Sequence, residues 1–436
     1  MKHLFDRKML PVWVFVVVAC LAVGVGAYFL GGMADGTAED PTQSADLPVM
    51  QPVTDATEPV TQAPQVLTAE IVNCGDLMCE YPLVNACFDY DTQVFDFAPC
   101  FTYVKGLLSS GDLTAANLEC VLDGSEEPID SYNDIGYVRL LAPDAFLDAS
   151  VHAGFDLLTT ANNHANDGGF EGMTRTLQVL DERGILHTGT RSSEEEKPYI
   201  IKDVNGIRFG FIAYTYEGAT EETSLNGNYL DYGTEALYNI FNEEEPGEDF
   251  FNEMNQRVQA ARNDGAEAVV VYIHWGVEFT YEASAEQDLI AQALADMDVD
   301  LIVGCHPHVV QPMAVYTSST SGKKVPCAYS LGSIMSSMGE DDAYVNCEDG
   351  VVMMTKFVKD EKGTRLSQVG VVPVWICNYE EDGVEYFRAM PVKAEMEEDK
   401  YCLASAENGV QRAQDSFFRT MDIIADGYQE IRSVFS

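Results

Sequence analysis

A chain of 436 residues with 46% hydrophobic and 10% aromatic content has material for one large buried core or two ordinary ones, which excludes wholesale disorder. Its 71 Asp and Glu against 25 Lys and Arg leave a formal net charge of −46. Nucleic acid is thereby excluded as a partner, because phosphate binding needs Lys and Arg to displace counterions, whereas divalent cations are attracted.

Residues 1–8 form a short tail carrying Lys2, Arg7 and Lys8. Met9 to Leu30 then run almost unbroken in apolar residues with no charge. About twenty such residues rising ~1.5 Å each span a hydrocarbon core of ~30 Å. Asp35, Glu39 and Asp40 follow, so the positive-inside rule puts the N-terminus in the cytoplasm and the main domain outside the cell, as a single-pass membrane protein. Two other readings compete. A signal peptide cleaved near Met33-Ala34 would have an apolar stretch longer than usual. A lipoprotein-like cut at Val17-Val18-Ala19-Cys20 would leave LAVGVGAYFL as an N-terminus in water. An uncleaved anchor fits best. Residues 31–66, rich in Thr, Pro, Gln, Ala, Asp and Glu, bury too little to offset the entropy of folding and read as a disordered stalk.

From 67 to 336 short apolar runs alternate with amphipathic stretches, the pattern of an α/β domain. The runs are AEIVNC, LTAANL, FDLLTTA, IRFGFIAYTY, EAVVVYI, VDLIVG and VPCAYSL; GGFEGMTRTLQVLDERG and ASAEQDLIAQALADMD read as helices. Polar groups gather where the runs end. Gly75-Asp76 follows the first run, and Asn117-Leu118-Glu119 closes the second. Asn162-Asn163-His164 follows the third, with Asp167 three residues on; His274 ends the fifth, and His306-Pro307-His308 follows the sixth. Ligands of α/β sheets bind beyond the carboxyl ends of strands, so these residues are candidates for one site. Carboxylates, an amide and imidazoles together suit one or two borderline divalent ions such as Mn, Zn or Fe. His152, in a predicted helix, and His187, in ILHTGT, read as packing or surface histidines. The eleven cysteines show no C-x-x-C pair and mostly sit in apolar runs, which suggests buried thiols.

The ordered segments GDLM, NLE, TTANNHANDGG, HTGT, VYIHWGVEF, GCHPHVVQP and YSLGS resemble those of the CapA-type poly-γ-glutamate capsule-biosynthesis proteins. That family is itself similar to the calcineurin-like metallophosphoesterases. The resemblance implies a two-sheet sandwich flanked by helices with metals at the strand ends. Residue by residue, it implies Asp76 and His308 on a first metal, Asn163, His274 and His306 on a second, and Glu119 bridging both. His164 would be a proton donor, its ring oriented by Asp167. The pattern departs from the phosphoesterases at Met78, where a histidine ligand is usual, and from close relatives at Glu80 and Ser333. A metal-dependent hydrolase acting on an anionic surface polymer or its precursor is one implied function. The other is a non-catalytic subunit of a membrane polyglutamate synthase or export complex, with bound ions or basic residues such as Arg139 and Arg175 touching the polymer.

In the remainder, 337–436, GVVMMTKFVKDEKGTRLSQVGVVPVWICNY alternates around a turn and EYFRAMPVKA adds a strand. A helix from about Ala404 is expected to gather Val410, Phe417, Phe418, Met421 and Ile424 on one face, and the whole segment to complete the second sheet.

Overall fold

The apolar runs become strands whose alternate side chains enter two different cores. In the first strand, Ile71 joins one buried cluster and Val72 another. Both faces of the sheet are therefore covered, which is why the run is continuously apolar. The computed structural model describes residues 66–130, 138–217, 223–242, 246–339 and 346–435. These lie in one compact unit, Gln62–Ser436. The expected tail and anchor, and the stalk up to residue 65, fall outside the described residues. No helix among the described residues is long and apolar enough to cross a membrane.

Among the described residues fifteen strands build the two main sheets, in chain order β1 (Leu67–Met78), β2 (Leu113–Glu119), β3 (Leu157–Thr159), β4 (Leu186–Thr188), β5 (Ile200–Val204), β6 (Ile207–Glu217), β7 (Ile240–Asn242) and β8 (Ala268–His274). There follow β9 (Leu301–Cys305), β10 (Met313–Thr317), β11 (Lys324–Ala328), β12 (Ser333–Met335), β13 (Asp349–Asp360), β14 (Gly363–Glu381) and β15 (Val384–Pro391). The longer helices are α1 (Asp144–Ala153), α2 (Gly169–Glu182), α3 (Glu248–Asn263), α4 (Ala285–Asp296) and α5 (Gly409–Val434).

The first sheet runs β15-β14-β13-β1-β2-β3-β4, with β12 beside the end of β1; the second runs β7-β6-β8-β9-β11-β10, with β5 also on β6. Strands β1 to β4 are parallel, as are β6, β8, β9 and β11, so each sheet offers a row of carboxyl ends. Between the sheets lies a cluster that includes Ile71, Phe209, Tyr272, Val303 and Phe357. Outside the first sheet Phe146, Leu177 and Leu180 of α1 and α2 pack on Val72, Leu118 and Leu158. Outside the second, Met254, Val258, Ile290 and Leu294 of α3 and α4 pack on Val271 and Ile302. The order is helices, sheet, sheet, helices.

Three expectations change. Gly75 and Asp76 do not follow the first strand but lie within it, because β1 continues to Met78 through a register shift between Asn73 and Asp76. Gly75 allows this by close approach: a Cβ there would stand 1.8 Å from the Gly332 carbonyl oxygen. The C-terminal strands extend the first sheet rather than the second, since β13 pairs antiparallel along Leu67 to Asn73 of β1. Helix α5 packs Val410, Phe417, Met421 and Ile424 against the cores as expected, but Phe418 is 51% exposed and Ala413, Ser416 and Thr420 share the buried face. Small side chains let α5 sit close to its neighbours, so its buried face is less apolar than the sequence periodicity suggested. The ten described cysteines are all free thiols, and all but Cys87 are buried.

Candidate metal centre

The carboxyl ends of β1, β2 and β3 in one sheet meet those of β8 and β9 in the other, and the polar residues of these ends converge. Asp76, Glu119, Asn163, His274, His306 and His308 are all buried. Nitrogen and oxygen atoms of Asp76, Glu119 and His308 lie within 4.8 Å of one another, as do those of Glu119, His274 and His306. Glu119 is common to both triads. Asn163 Oδ1 stands 2.9 Å from His274 Nε2, which brings the amide to the second triad.

The segment after β9 is held in an unusual backbone. His306 and His308 have φ of 101° and 57°, the left-handed region that side chains other than glycine rarely occupy. Such strain costs on the order of 1–3 kcal/mol per residue and persists only where the surroundings fix it. Here the His306 amide donates to Asp76 Oδ2 at 3.2 Å, and His308 Nδ1 lies 3.2 Å from the same oxygen. From the other side, Phe279 N donates to the Pro307 carbonyl at 2.9 Å. The loop carrying Phe279 is anchored by the capping box of α4, where Ser284 N donates to Gln287 Oε1 at 2.8 Å and Gln287 N donates to Ser284 Oγ at 3.1 Å. Gln287 Nε2 then donates to Gln311 Oε1 at 3.0 Å, joining the cap to the histidine segment.

Electrostatics divide the histidines. Burial and the neighbouring His308 hold His306 down at about 3, and burial also holds His274 well below the imidazole range. Both are neutral and keep a lone pair. Burial alone would lower His308, but its hydrogen bond and charge contact with Asp76 outweigh this and raise it. Burial likewise works to raise Asp76, and His308 outweighs it in the opposite direction. Glu119 has no such relief: burial first, then the Asp76 carboxylate, push it well above the usual carboxylate range.

These residues fit a divalent cation. Glu119 Oε1 and His306 Nδ1, both able to ligate a cation, are buried without a hydrogen-bond partner. The ion pairs recorded for Asp76 and Glu119 are with histidines only, among the described residues. A buried carboxylate pair in that setting is costly unless a cation joins it. The mixed nitrogen and oxygen donors match borderline metals.

His164 and Asp167 form a separate pair beside the triads, His164 Nδ1 lying 2.7 Å from Asp167 Oδ2. That carboxylate oxygen also accepts from Leu140 N at 2.5 Å, so Asp167 is fixed by backbone. His152 is exposed, its Nε2 2.8 Å from Lys105 Nζ, and His187 Nε2 lies 3.2 Å from Asp181 Oδ1. Arg175 is bound to Asp144 through two hydrogen bonds and donates to the Leu122 carbonyl, so an internal carboxylate occupies it. Met78 packs in the core between the first sheet and its helices. Glu80 is buried; Ser337 N donates to its Oε2 at 3.0 Å, and burial raises its carboxyl above the usual range. Ser333, level with Asp76 in the β1–β12 pairing, is buried with an unpartnered hydroxyl.

Sequence reasoning missed two residues. Glu278 comes within 4.8 Å of His306 and His308, and Cys305 within the same distance of Asp76 and His274. Glu278 stands four places after His274 and Cys305 immediately before His306, so proximity in sequence was the available signal. A cavity of about 1080 Å³ lies elsewhere, lined by residues such as Asn85, Tyr90, Asn378, Glu407 and Arg412.

Residues 70–338 match the family model described as bacterial capsule synthesis protein PGA_cap. The chain belongs to this family. Among relatives of the PGA_cap chain, the capsule biosynthesis protein CapA of Bacillus anthracis is 27% identical over 247 residues, 55% of this chain and 54% of the relative. The PGA biosynthesis protein CapA of Bacillus subtilis (strain 168) is 27% identical over 282 residues, 64% of this chain and 66% of that protein. The match thus spans between about half and two thirds of each relative's length. Among solved structures, the calcineurin-like phosphoesterase YfkN from Bacillus subtilis aligns over 85% of this chain and 99% of its own, with 12% identity and a TM-score of 0.33. So loose a superposition carries no argument about the site.

Proposed function

We propose that the chain is a membrane-anchored, outward-facing, metal-dependent hydrolase of metallophosphoesterase type, acting in poly-γ-glutamate capsule or surface-polymer synthesis. The observation that carries this reading is the pair of buried triads sharing Glu119, with donor atoms left unpartnered. Asp76 and His308 would hold one ion, Asn163, His274 and His306 the other, and Glu119 would touch both. Bound divalent ions supply an activated water and a clamp on the attacked centre. His164, fixed by Asp167, stands to hand a proton to a leaving oxygen or nitrogen. The substrate would be an anionic surface polymer or its precursor. A chain of net charge −46 would meet such a polymer only locally, through the ions.

A second reading, an accessory subunit of a membrane polyglutamate synthase or export complex, is favoured by Met78. Its thioether packs in the hydrophobic core and supplies no ligand to the first ion. The two readings separate on a panel of phosphomonoesters, phosphodiesters and γ-glutamyl peptides. The hydrolase reading expects turnover that chelation abolishes and Mn or Zn restores. No turnover in the metal-loaded protein, with capsule lost when the domain is deleted, would favour the accessory subunit.

A further inference from the structure

The two nitrogens of His274 face different surroundings. On the Nε2 side stand Asn163 Oδ1 at 2.9 Å and Glu119 Oε1 at 3.6 Å, with His306 completing that triad. On the Nδ1 side stand Asn117 Nδ2 at 3.3 Å and Cys305 Sγ at 3.4 Å. For Nε2 to present a lone pair to a cation, the ring hydrogen must sit on Nδ1 and find an acceptor there.

Asn117 cannot be that acceptor. Its orientation is set by Asn162 Nδ2 and Thr159 Oγ1, which donate to Asn117 Oδ1 at 3.1 and 3.3 Å. Its amide hydrogens go to Asp76 Oδ1 at 2.9 Å and Glu119 Oε2 at 3.1 Å. The group it turns towards the imidazole is therefore a donor. Cys305 Sγ is the acceptor that remains; its own S–H has two acceptors in reach, the Ile273 carbonyl 3.7 Å from Sγ and the Asp76 carboxylate. A sulfur can accept one hydrogen while donating another.

We infer that Cys305 is a positioning residue that accepts the Nδ1 hydrogen of His274, fixing the tautomer whose Nε2 faces the metal space. This rests on the metal reading above. With Nδ1–H donated to Sγ, and the thiol hydrogen to the Ile273 carbonyl or to Asp76, both hydrogens have an acceptor and the imidazole lone pair is free.

The test is competitive titration of the metal-free full chain with Zn2+ and Mn2+ against a chelator, for the parent, Cys305→Ala and Cys305→Ser. Removing an outer hydrogen-bond partner of a ligating histidine costs about 10–100-fold in affinity, and that loss is expected for one ion in Cys305→Ala. Cys305→Ser, whose hydroxyl can accept, should recover most of it. Equal thermal midpoints of the three metal-free proteins would show that the loss is not misfolding. Parent-like affinity in Cys305→Ala overturns the inference alone. A parent that takes up no ion overturns the metal reading with it. Co2+ loading adds an independent readout: the inference expects no sulfur-to-cobalt charge-transfer band in the parent. Such a band, absent from both variants, would make Cys305 a direct ligand and overturn the positioning role.

Discussion

Glu119→Gln is expected to abolish the rise in thermal midpoint that divalent ions give the parent, while the metal-free variant is at least as stable as the metal-free parent. A purely structural carboxylate would behave in the opposite way. Glu119 is buried against Asp76 with one oxygen lacking a hydrogen bond, so without a cation its ionised form is disfavoured. An amide of the same shape removes that cost and also removes the bridging ligand. An ion at about 100 times its Kd stabilises a protein by about 2.7 kcal/mol, and this increment is what the variant forfeits. The pH dependence has a definite sign. Burial and then Asp76 raise the folded-state pKa of Glu119. Its contribution to stability is therefore fully present below the ordinary glutamate range and lost as pH rises through the raised value. Metal-free parent should weaken over that window, and Glu119→Gln should lose the Glu119 part of the slope. Calorimetry with and without Mn2+ across pH checks both points. A variant that still gains stability from ions would contradict the bridging position.

Phe357→Ala is expected to cost about 3–5 kcal/mol of stability. Phe357 lies on β13 and is fully buried between the sheets. Its ring meets Phe209 of β6 edge-on, with centroids 4.9 Å apart and planes at 90°. The contact joins one sheet to the other, so the space left cannot close without moving a whole sheet. Urea unfolding should show a lower midpoint with an unchanged slope. Ion uptake should persist, because Phe357 pairs with Ala69 at the opposite end of β1 from Asp76.

Much of the site could be read before folding because polar residues after apolar runs have a single destination in parallel sheets. Asp76, Glu119, Asn163, His274, His306 and His308 all stood in such places, and the folded chain brings them together. What could not be read were the hydrogen-bond partners. Nothing in the string GCHPH says that Cys305 turns to His274 rather than into the core. The bulge that keeps Asp76 inside β1 depends on Gly75 lying against Gly332, a residue far away in sequence. Sheet membership of the C-terminal strands was misread for the same reason. Alternation reveals a strand but not its neighbour, and β13 joins β1 across nearly the whole domain. In α5, periodicity found Val410, Phe417, Met421 and Ile424 but placed the exposed Phe418 with them and passed over the small buried residues Ala413, Ser416 and Thr420.

The most direct test of the metal centre is elemental mass spectrometry of the purified protein beside a His306→Ala, His308→Ala double variant. About two divalent ions per chain in the parent, lost in the variant, is the predicted result. No ion in the parent, even after reconstitution with Mn2+ or Zn2+, would contradict the account and leave the converging histidines and carboxylates without a role in hydrolysis.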